Sequence, residues 1–315
     1  MSKYIDLNRI EFVVTNSCSG HCKHCSNGEQ PNRGESVRAE AAVKTVKQLA
    51  ERFTIESVMT FGGEPMLYAD TVCAIHAAAR DCGIPERQLI TNGYFSKDES
   101  VIDKTAKALC NAGVNDILLS ADAFHQEYIP LEPVMAFADA LLRHHVPRLR
   151  VQPAWVVNEE HDNPYNRETE RILTLFTDKG IMANEGNNIF PSGNALKHLS
   201  EYFSPPDEMD LFAPCGSFPY TGRIDEVTSV GINPNGDVTI CSPTIGNIYK
   251  TDVLDIVDTY DPYANPAFEA LLTGGAEALL KYAKTQGIEV DITDCRSACG
   301  VCRKAMAALK ESVAI

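Results

Sequence analysis

Eleven cysteines in a chain of 315 residues are many, and they fall into three groups. Cys18, Cys22 and Cys25 lie near the start, Cys73, Cys82 and Cys110 are scattered through apolar helical stretches, and Cys215, Cys241, Cys295, Cys299 and Cys302 lie towards the end. An odd number forbids complete pairing into disulfides, and a reducing compartment disfavours them anyway, so metal or cluster ligation becomes the leading use for the first and last groups. In Cys18-Ser-Gly-His-Cys22-Lys-His-Cys25 the spacing is Cys-x3-Cys-x2-Cys. Three thiolates so spaced on one loop reach three corners of a [4Fe–4S] cube and leave the fourth iron open to another ligand. The other uses for such a triplet are a zinc site or redox thiols. The middle three cysteines are expected to be small buried apolar side chains.

A scaffold must hold these loops, and the sequence offers one. Strand-like and helix-like segments alternate through the first 190 residues, the pattern of a parallel sheet covered by helices. Strands are expected at Arg9 to Thr15, Glu56 to Phe61, Gln88 to Thr91, Asp116 to Ser120 and Leu149 to Val157, each followed by a helix, with a sixth near Ile181 to Asn184. About six β/α units make an α/β partial (β/α)6 TIM-like barrel, more than a minimal doubly wound domain and fewer than an eightfold barrel. After about residue 190 the alternation stops. Val227 to Ile232 and Val238 to Cys241 flank Asn233-Pro-Asn-Gly-Asp237, where Asn-Gly signals a hairpin with a type I′ turn. The expected organisation is a barrel over 1–190 and, over 191–315, a small α+β domain with a β-hairpin and helices.

The cysteine triplet follows the first strand, Gly62-Gly63-Glu64-Pro65 follows the second, Thr91-Asn92-Gly93 the third, and Ser120 ends the fourth. In these motifs, over roughly residues 9 to 190, the chain resembles the radical S-adenosylmethionine (SAM) superfamily. The resemblance implies a [4Fe–4S] cluster on Cys18, Cys22 and Cys25 at the barrel's C-terminal face, with SAM chelating the open iron. It implies that Gly62, Gly63 and Glu64 meet the methionyl amino group, that His24 takes the position of an aromatic residue near adenine, and that Ser120 and Asn92 reach ribose or carboxylate. Val151-Gln-Pro-Ala-Trp155 stands in place of the family's Gly-containing fifth-strand motif.

The last cysteines resemble the twitch and SPASM domains that follow many such barrels, Gly236-Asp-Val-Thr-Ile-Cys241 being the best local match. The resemblance implies one auxiliary [4Fe–4S] cluster on Cys215, Cys241, Cys299 and Cys302, with Cys295 as substitute ligand or neighbouring free thiol. A structural zinc would use the same residues. Asp122, His125, Glu127 and Tyr128, just after the fourth strand, lie where barrel enzymes hold substrate, and Asp122, His125 and Tyr128 are the candidate catalytic residues. Glu185, Asn187 and Asn188 are weaker candidates, and Trp155 is core or pocket wall. The expected activity is reductive cleavage of SAM and hydrogen abstraction from a peptide or small-molecule substrate, fed by a one-electron donor such as flavodoxin or ferredoxin. Peptide modification leads, dehydrogenation or remodelling of a small metabolite follows, and a non-catalytic zinc protein is the contrasting class. Little chain precedes Cys18, so a peptide would dock directly or through a separate recognition protein. A formal charge of −15 repels phosphate backbones and anionic headgroups, so neither nucleic acid nor membrane is expected as partner. Neither a signal peptide nor an apolar span is apparent, which reads as cytoplasmic.

Overall fold

The computed structural model describes residues 2–28, 34–205, 208–217 and 221–313. Strand β1 (Ile5–Thr15) is followed by α1 (Ala39–Arg52), β2 (Ser57–Gly62), α2 (Ala69–Asp81), β3 (Glu86–Thr91), α3 (Glu99–Ala112) and β4 (Asp116–Leu119). The short α4 (Ala123–Gln126) and the longer α5 (Leu131–Arg143) lead to β5 (Leu149–Val151), and Pro153 separates it from β6 (Ala154–Trp155), so the long fifth strand of the sequence reading is two short ones. Then come α6 (Pro164–Thr177), β7 (Met182–Ala183), β8 (Asn187–Asn188) and α7 (Asn194–His198). The six β/α units therefore exist, in an open sheet.

Each strand alternates its faces. On β1, Ile10, Phe12 and Val14 are fully buried under the helices, while Arg9, Glu11 and Val13 are only half-buried on the barrel's inner side. Local signals set the helix ends: Asp98 caps α3 by accepting from the amides of Ser100 and Val101, and Gly113, at φ 91°, stops it. An ionic floor closes the barrel at the starts of the strands, where fully buried Asp116 takes Arg148 and Arg150 at 2.8 Å each and Gln88 at 2.9 Å.

The second half adds to the same sheet. β9 (Val227–Ile232) pairs parallel with the free side of β1, and β10 (Asp237–Thr239) and β11 (Thr244–Asn247) follow antiparallel, giving the order β11-β10-β9-β1-β2-β3-β4-β5-β7. The expected hairpin is β9–β10, but its turn is not type I′. Pro234 holds its own φ negative, Gly236 at φ 85° is the only turn residue with positive φ, and Gly236 N–H donates to Asn233 C=O at 2.8 Å. That is a type I turn with a glycine bulge. Three helices complete the chain: α8 (Val253–Thr259), α9 (Pro266–Thr285) and α10 (Ala298–Val313). α9 breaks at Gly274-Gly275, where Gly275 has φ 66° and an added Cβ would lie 2.6 Å from Leu211 C=O. The segment leading to Cys215 thus crosses the helix at the one place without a side chain, and Glu277 N–H bonds Leu211 C=O at 3.0 Å. No helix among the described residues is long and apolar enough to cross a membrane.

Candidate active site

The loop after β1 carries the first cysteines to the mouth of the barrel. Its course is fixed by the β2 turn: Gly63 N–H donates to Thr15 C=O and Glu64 N–H to Ser17 C=O, both at 2.7 Å. A Cβ on Gly63 would sit 2.1 Å from Ser17 C=O, and one on Gly62 2.4 Å from Thr15 C=O. Both glycines are needed for this backbone contact, and both line the cavity in front of it.

That cavity, about 530 Å³, is lined by Cys18, Cys22, Cys25, His24, Gly62, Gly63, Asn92, Ser120 and His125, among others. Burial pushes the Cys18 and Cys22 thiols up, and the charges of neighbouring thiols add to the shift. Three thiols lining one cavity fit a shared metal cluster, which takes them as thiolates. Asn92 stands behind Cys18, its amide Nδ2 3.6 Å from Sγ and 3.2 Å from Ser19 Oγ. His24 packs against Phe124 and His125, with centroids 5.0 and 4.8 Å away, and its Nδ1 is buried without a hydrogen-bond partner among the described residues. Burial lowers its pKa to about 4, so it enters the cavity as neutral imidazole.

Two of the expected site residues are not among those lining the cavity. Glu64 does not reach the cavity: fully buried, it accepts from Thr91 Oγ1 at 2.6 Å, Met66 N–H at 2.8 Å and Asn92 N–H at 2.7 Å. Burial pushes its carboxyl up to about 7 against those bonds. The carboxylate holds the Thr91-Asn92 turn behind the pocket through these three bonds. Tyr128 is 46% exposed and does not itself line the cavity, but its ring edges His21, which does.

Asp122 and His125 do come together. Asp122 caps α4, accepting from Phe124 and His125 N–H and from Ala154 N–H, and meets His125 Nδ1 at 2.8 Å. Burial would push the Asp122 carboxyl up, but the His125 charge and hydrogen bond outweigh it and hold the group well below the carboxylate range. For His125 the balance is reversed: burial lowers and Asp122 raises, with a net rise. Glu127 is spent on Lys23 at 2.7 Å. Glu185, Asn187 and Asn188 line none of the described cavities, while buried Trp155 donates to Glu185 C=O.

Four of the five late cysteines converge. Cys215, Cys241, Cys299 and Cys302 line one narrow cavity whose other walls include Pro214, Ile224, Leu271 and Ala298. Cys299 and Cys302 are three apart on α10 and so share a face. Cys241 sits at φ 53°, a left-handed backbone uncommon in a non-glycine residue. Burial first, then the neighbouring thiols, push Cys299 up to about 11 and Cys302 up to about 12. Cys295 stands apart, 3% exposed among Ala276, Ala298 and Val301, because it precedes α10 and turns to another face. The middle cysteines are less buried than expected: Cys82 is exposed at the end of α2, and Cys73 and Cys110 are half-buried.

Between the two thiol groups lies a cavity of about 310 Å³, lined by Glu11, Val13, Ser229, Asn233 and Thr239. It shares Phe61 with the first cavity and Cys241 with the second. The sequence reading also missed Asn194, Lys197 and His198, which close the first cavity from α7. Their signal was Ser192-Gly193-Asn194, a helix-start pattern outside the barrel units.

Fold and site together define an α/β partial barrel with three thiols at its mouth. Residues 12–153 match the family model described as the radical SAM superfamily, so that segment of the chain carries a radical SAM domain, of a kind served by SAM and a [4Fe–4S] cluster. Curated relatives include a probable GTP 3′,8-cyclase of Sulfolobus acidocaldarius, 30% identical over 36% of this chain and 34% of that protein. A GTP 3′,8-cyclase of Listeria monocytogenes is 27% identical over 38% and 34%. The likeness spans about a third of each relative. Among solved structures, hexahistidine-tagged anSMEcpe with bound AdoMet covers 99% of both chains at a TM-score of 0.53 and 14% identity. The native protein with AdoMet and the Cp18Cys peptide covers 98% of both at 0.52 and 14%, a likeness of fold.

Proposed function

We propose that this chain oxidises an unactivated C–H bond of substrate by two electrons, and that Cys215, Cys241, Cys299 and Cys302 would hold a second cluster able to take up one of those electrons. The observation that carries this reading is the convergence of those four thiols on one apolar cavity, one wall away from a cavity that opens towards the first three. SAM and the clusters, when bound, supply the 5′-deoxyadenosyl radical and the one-electron steps. Substrate carbon loses one hydrogen atom, which leaves as 5′-deoxyadenosine, then one electron and one proton, a net two-electron oxidation. Four thiolates leave no iron open, so the second centre carries electrons and does not bind substrate.

The chain's own groups do the rest. Cys18, Cys22 and Cys25 hold the first cluster. The backbone of Gly62 and Gly63, His24, Asn92 and Ser120 surround SAM, and Glu64 positions Asn92. His125, fixed at Nδ1 by Asp122, offers Nε2 to the proton that leaves. Phe61 and Val13 keep water from the reacting carbon, and Glu11, Ser229 and Thr239 orient its polar neighbours.

We read the substrate as a ribosomally made peptide that presents one residue to the barrel for oxidation or crosslinking. A small metabolite is the second reading, favoured by the size of the intervening cavity. The electron that starts the cycle comes from a flavodoxin- or ferredoxin-type donor. The cyclase activity of the curated relatives is not carried over, because the likeness covers about a third of each. The test is anaerobic reconstitution with iron and sulfide. We expect about eight irons per chain and 5′-deoxyadenosine on adding dithionite and SAM, falling to about four irons when any of the four late cysteines becomes Ala. Neither iron nor 5′-deoxyadenosine overturns the reading. A precursor peptide lighter by two hydrogens marks the peptide substrate, and an unchanged peptide leaves the metabolite.

A further inference from the structure

One side chain joins the two thiol sites. Arg303 follows Cys302 on α10, and its Nη1 donates to Ser192 Oγ at 2.7 Å. Ser192 Oγ in turn donates at 2.9 Å to the C=O of Ser26, the residue after Cys25. Ser192 is only 6% exposed, while the Arg303 side chain reaches it from a solvent-exposed position, so both bonds are part-buried. The residues beside it grip the same loop. Asn194 N–H donates to Cys25 C=O at 2.9 Å and its Nδ2 to Cys22 C=O at 3.2 Å. Gly193, at φ 58°, passes so close that a Cβ would lie 2.5 Å from Ser26 C=O and 2.7 Å from Cys25 C=O. At its other end Arg303 is the residue after Cys302, so α10 carries the guanidinium and the Cys299 and Cys302 thiols on one helix.

We propose that Arg303 is a positioning residue that couples the two centres. The late-cysteine site fixes α10, and the Arg303 guanidinium on that helix, through Ser192, holds the Cys22–Ser26 loop in the geometry that accepts SAM. The coupling is mechanical, carried by two hydrogen bonds and a backbone contact. It rests on the reading that the late cysteines hold a cluster.

The experiment compares reconstituted wild type, Arg303→Ala, Arg303→Lys and Ser192→Ala. Iron is counted, and SAM is titrated into each reduced protein while the electron paramagnetic resonance signal of the first cluster is followed. Arg303→Ala and Ser192→Ala should both keep the wild-type iron count, yet need about tenfold more SAM to shift the signal, the loss of one part-buried charge-assisted hydrogen bond. Arg303→Lys, which keeps the charge and one donor, should recover part of the affinity. Wild-type titrations for both Ala variants overturn the proposal, as does an Arg303→Ala protein that loses late-site iron and still binds SAM normally. Should Arg303→Ala not fold, Ser192→Ala, which removes a single hydroxyl, decides alone. Wild type holding only about four irons would instead overturn the auxiliary-cluster reading, so the two failures are told apart.

Discussion

Glu64 and His125 show how far a residue's part depends on what surrounds it. Replacing Glu64 by Gln turns an acceptor towards the Asn92 or Met66 amide into a donor, leaving a buried N–H unpaired. We expect a loss of about 1–3 kcal/mol in anaerobic thermal unfolding, with weakened SAM binding as the Thr91-Asn92 turn loosens. The Asp122–His125 pair predicts a pH dependence. Asp122 lies below its ordinary 3.8, so its contribution is present above that value and fades as pH falls through its lower folded pKa. His125 lies above its ordinary 6.5, so its contribution is full below that value and fades as pH rises through its higher folded pKa. Wild type should therefore exceed His125→Ala in stability by about 3 kcal/mol near pH 5, and the gap should narrow on the alkaline side. Equal stabilities at pH 5 would remove the ion pair from the account. The cysteine triplet and the Gly-Gly turn were legible because their chemistry follows from type and spacing. That Glu64 and Tyr128 stay off the cavity lining was not, since it depends on the neighbours each meets in the fold, a turn's donors for one and the His21 ring for the other.

At the level of elements, strand and helix order was readable from periodicity, and the hairpin from its turn residues. The turn type was missed because Pro234 overrides the Asn-Gly preference. The pairing of β9 with β1 was not readable at all, since register between segments more than 200 residues apart leaves no local mark. The break in α9 is an element with a consequence. Gly275→Ala puts a methyl against Leu211 C=O at a left-handed backbone, and the crossing segment must move, taking Cys215 with it. We expect Gly275→Ala to retain the first cluster and SAM cleavage but to fall to about four irons per chain. Unchanged iron content would show that Cys215 is placed by other contacts. Cys295→Ala is the counterpart at the start of α10, and it should leave the iron count at the wild-type value, because its thiol packs among alanines and Val301 away from the other four.

Seen whole, the molecule is one nine-stranded sheet, with β6 and β8 paired in a small second one, and the main apolar core runs from Ile5 on β1 through Leu279 on α9 to Ala305 on α10. The sequence suggested a barrel followed by an appendage; the structure gives β1 a partner on each side, one from each half of the chain. That arrangement bears on how the protein is made. As the chain leaves the ribosome, the SAM-site cysteines and β2 appear early, while the other flank of β1 stays an open parallel edge until Val227–Ile232 has been synthesised. A nascent chain stalled before that point would display an apolar, unpaired β1 next to three exposed thiols. We expect such arrested chains to be held by chaperones, and iron to enter the first site only once β9 has been released and has zipped onto β1.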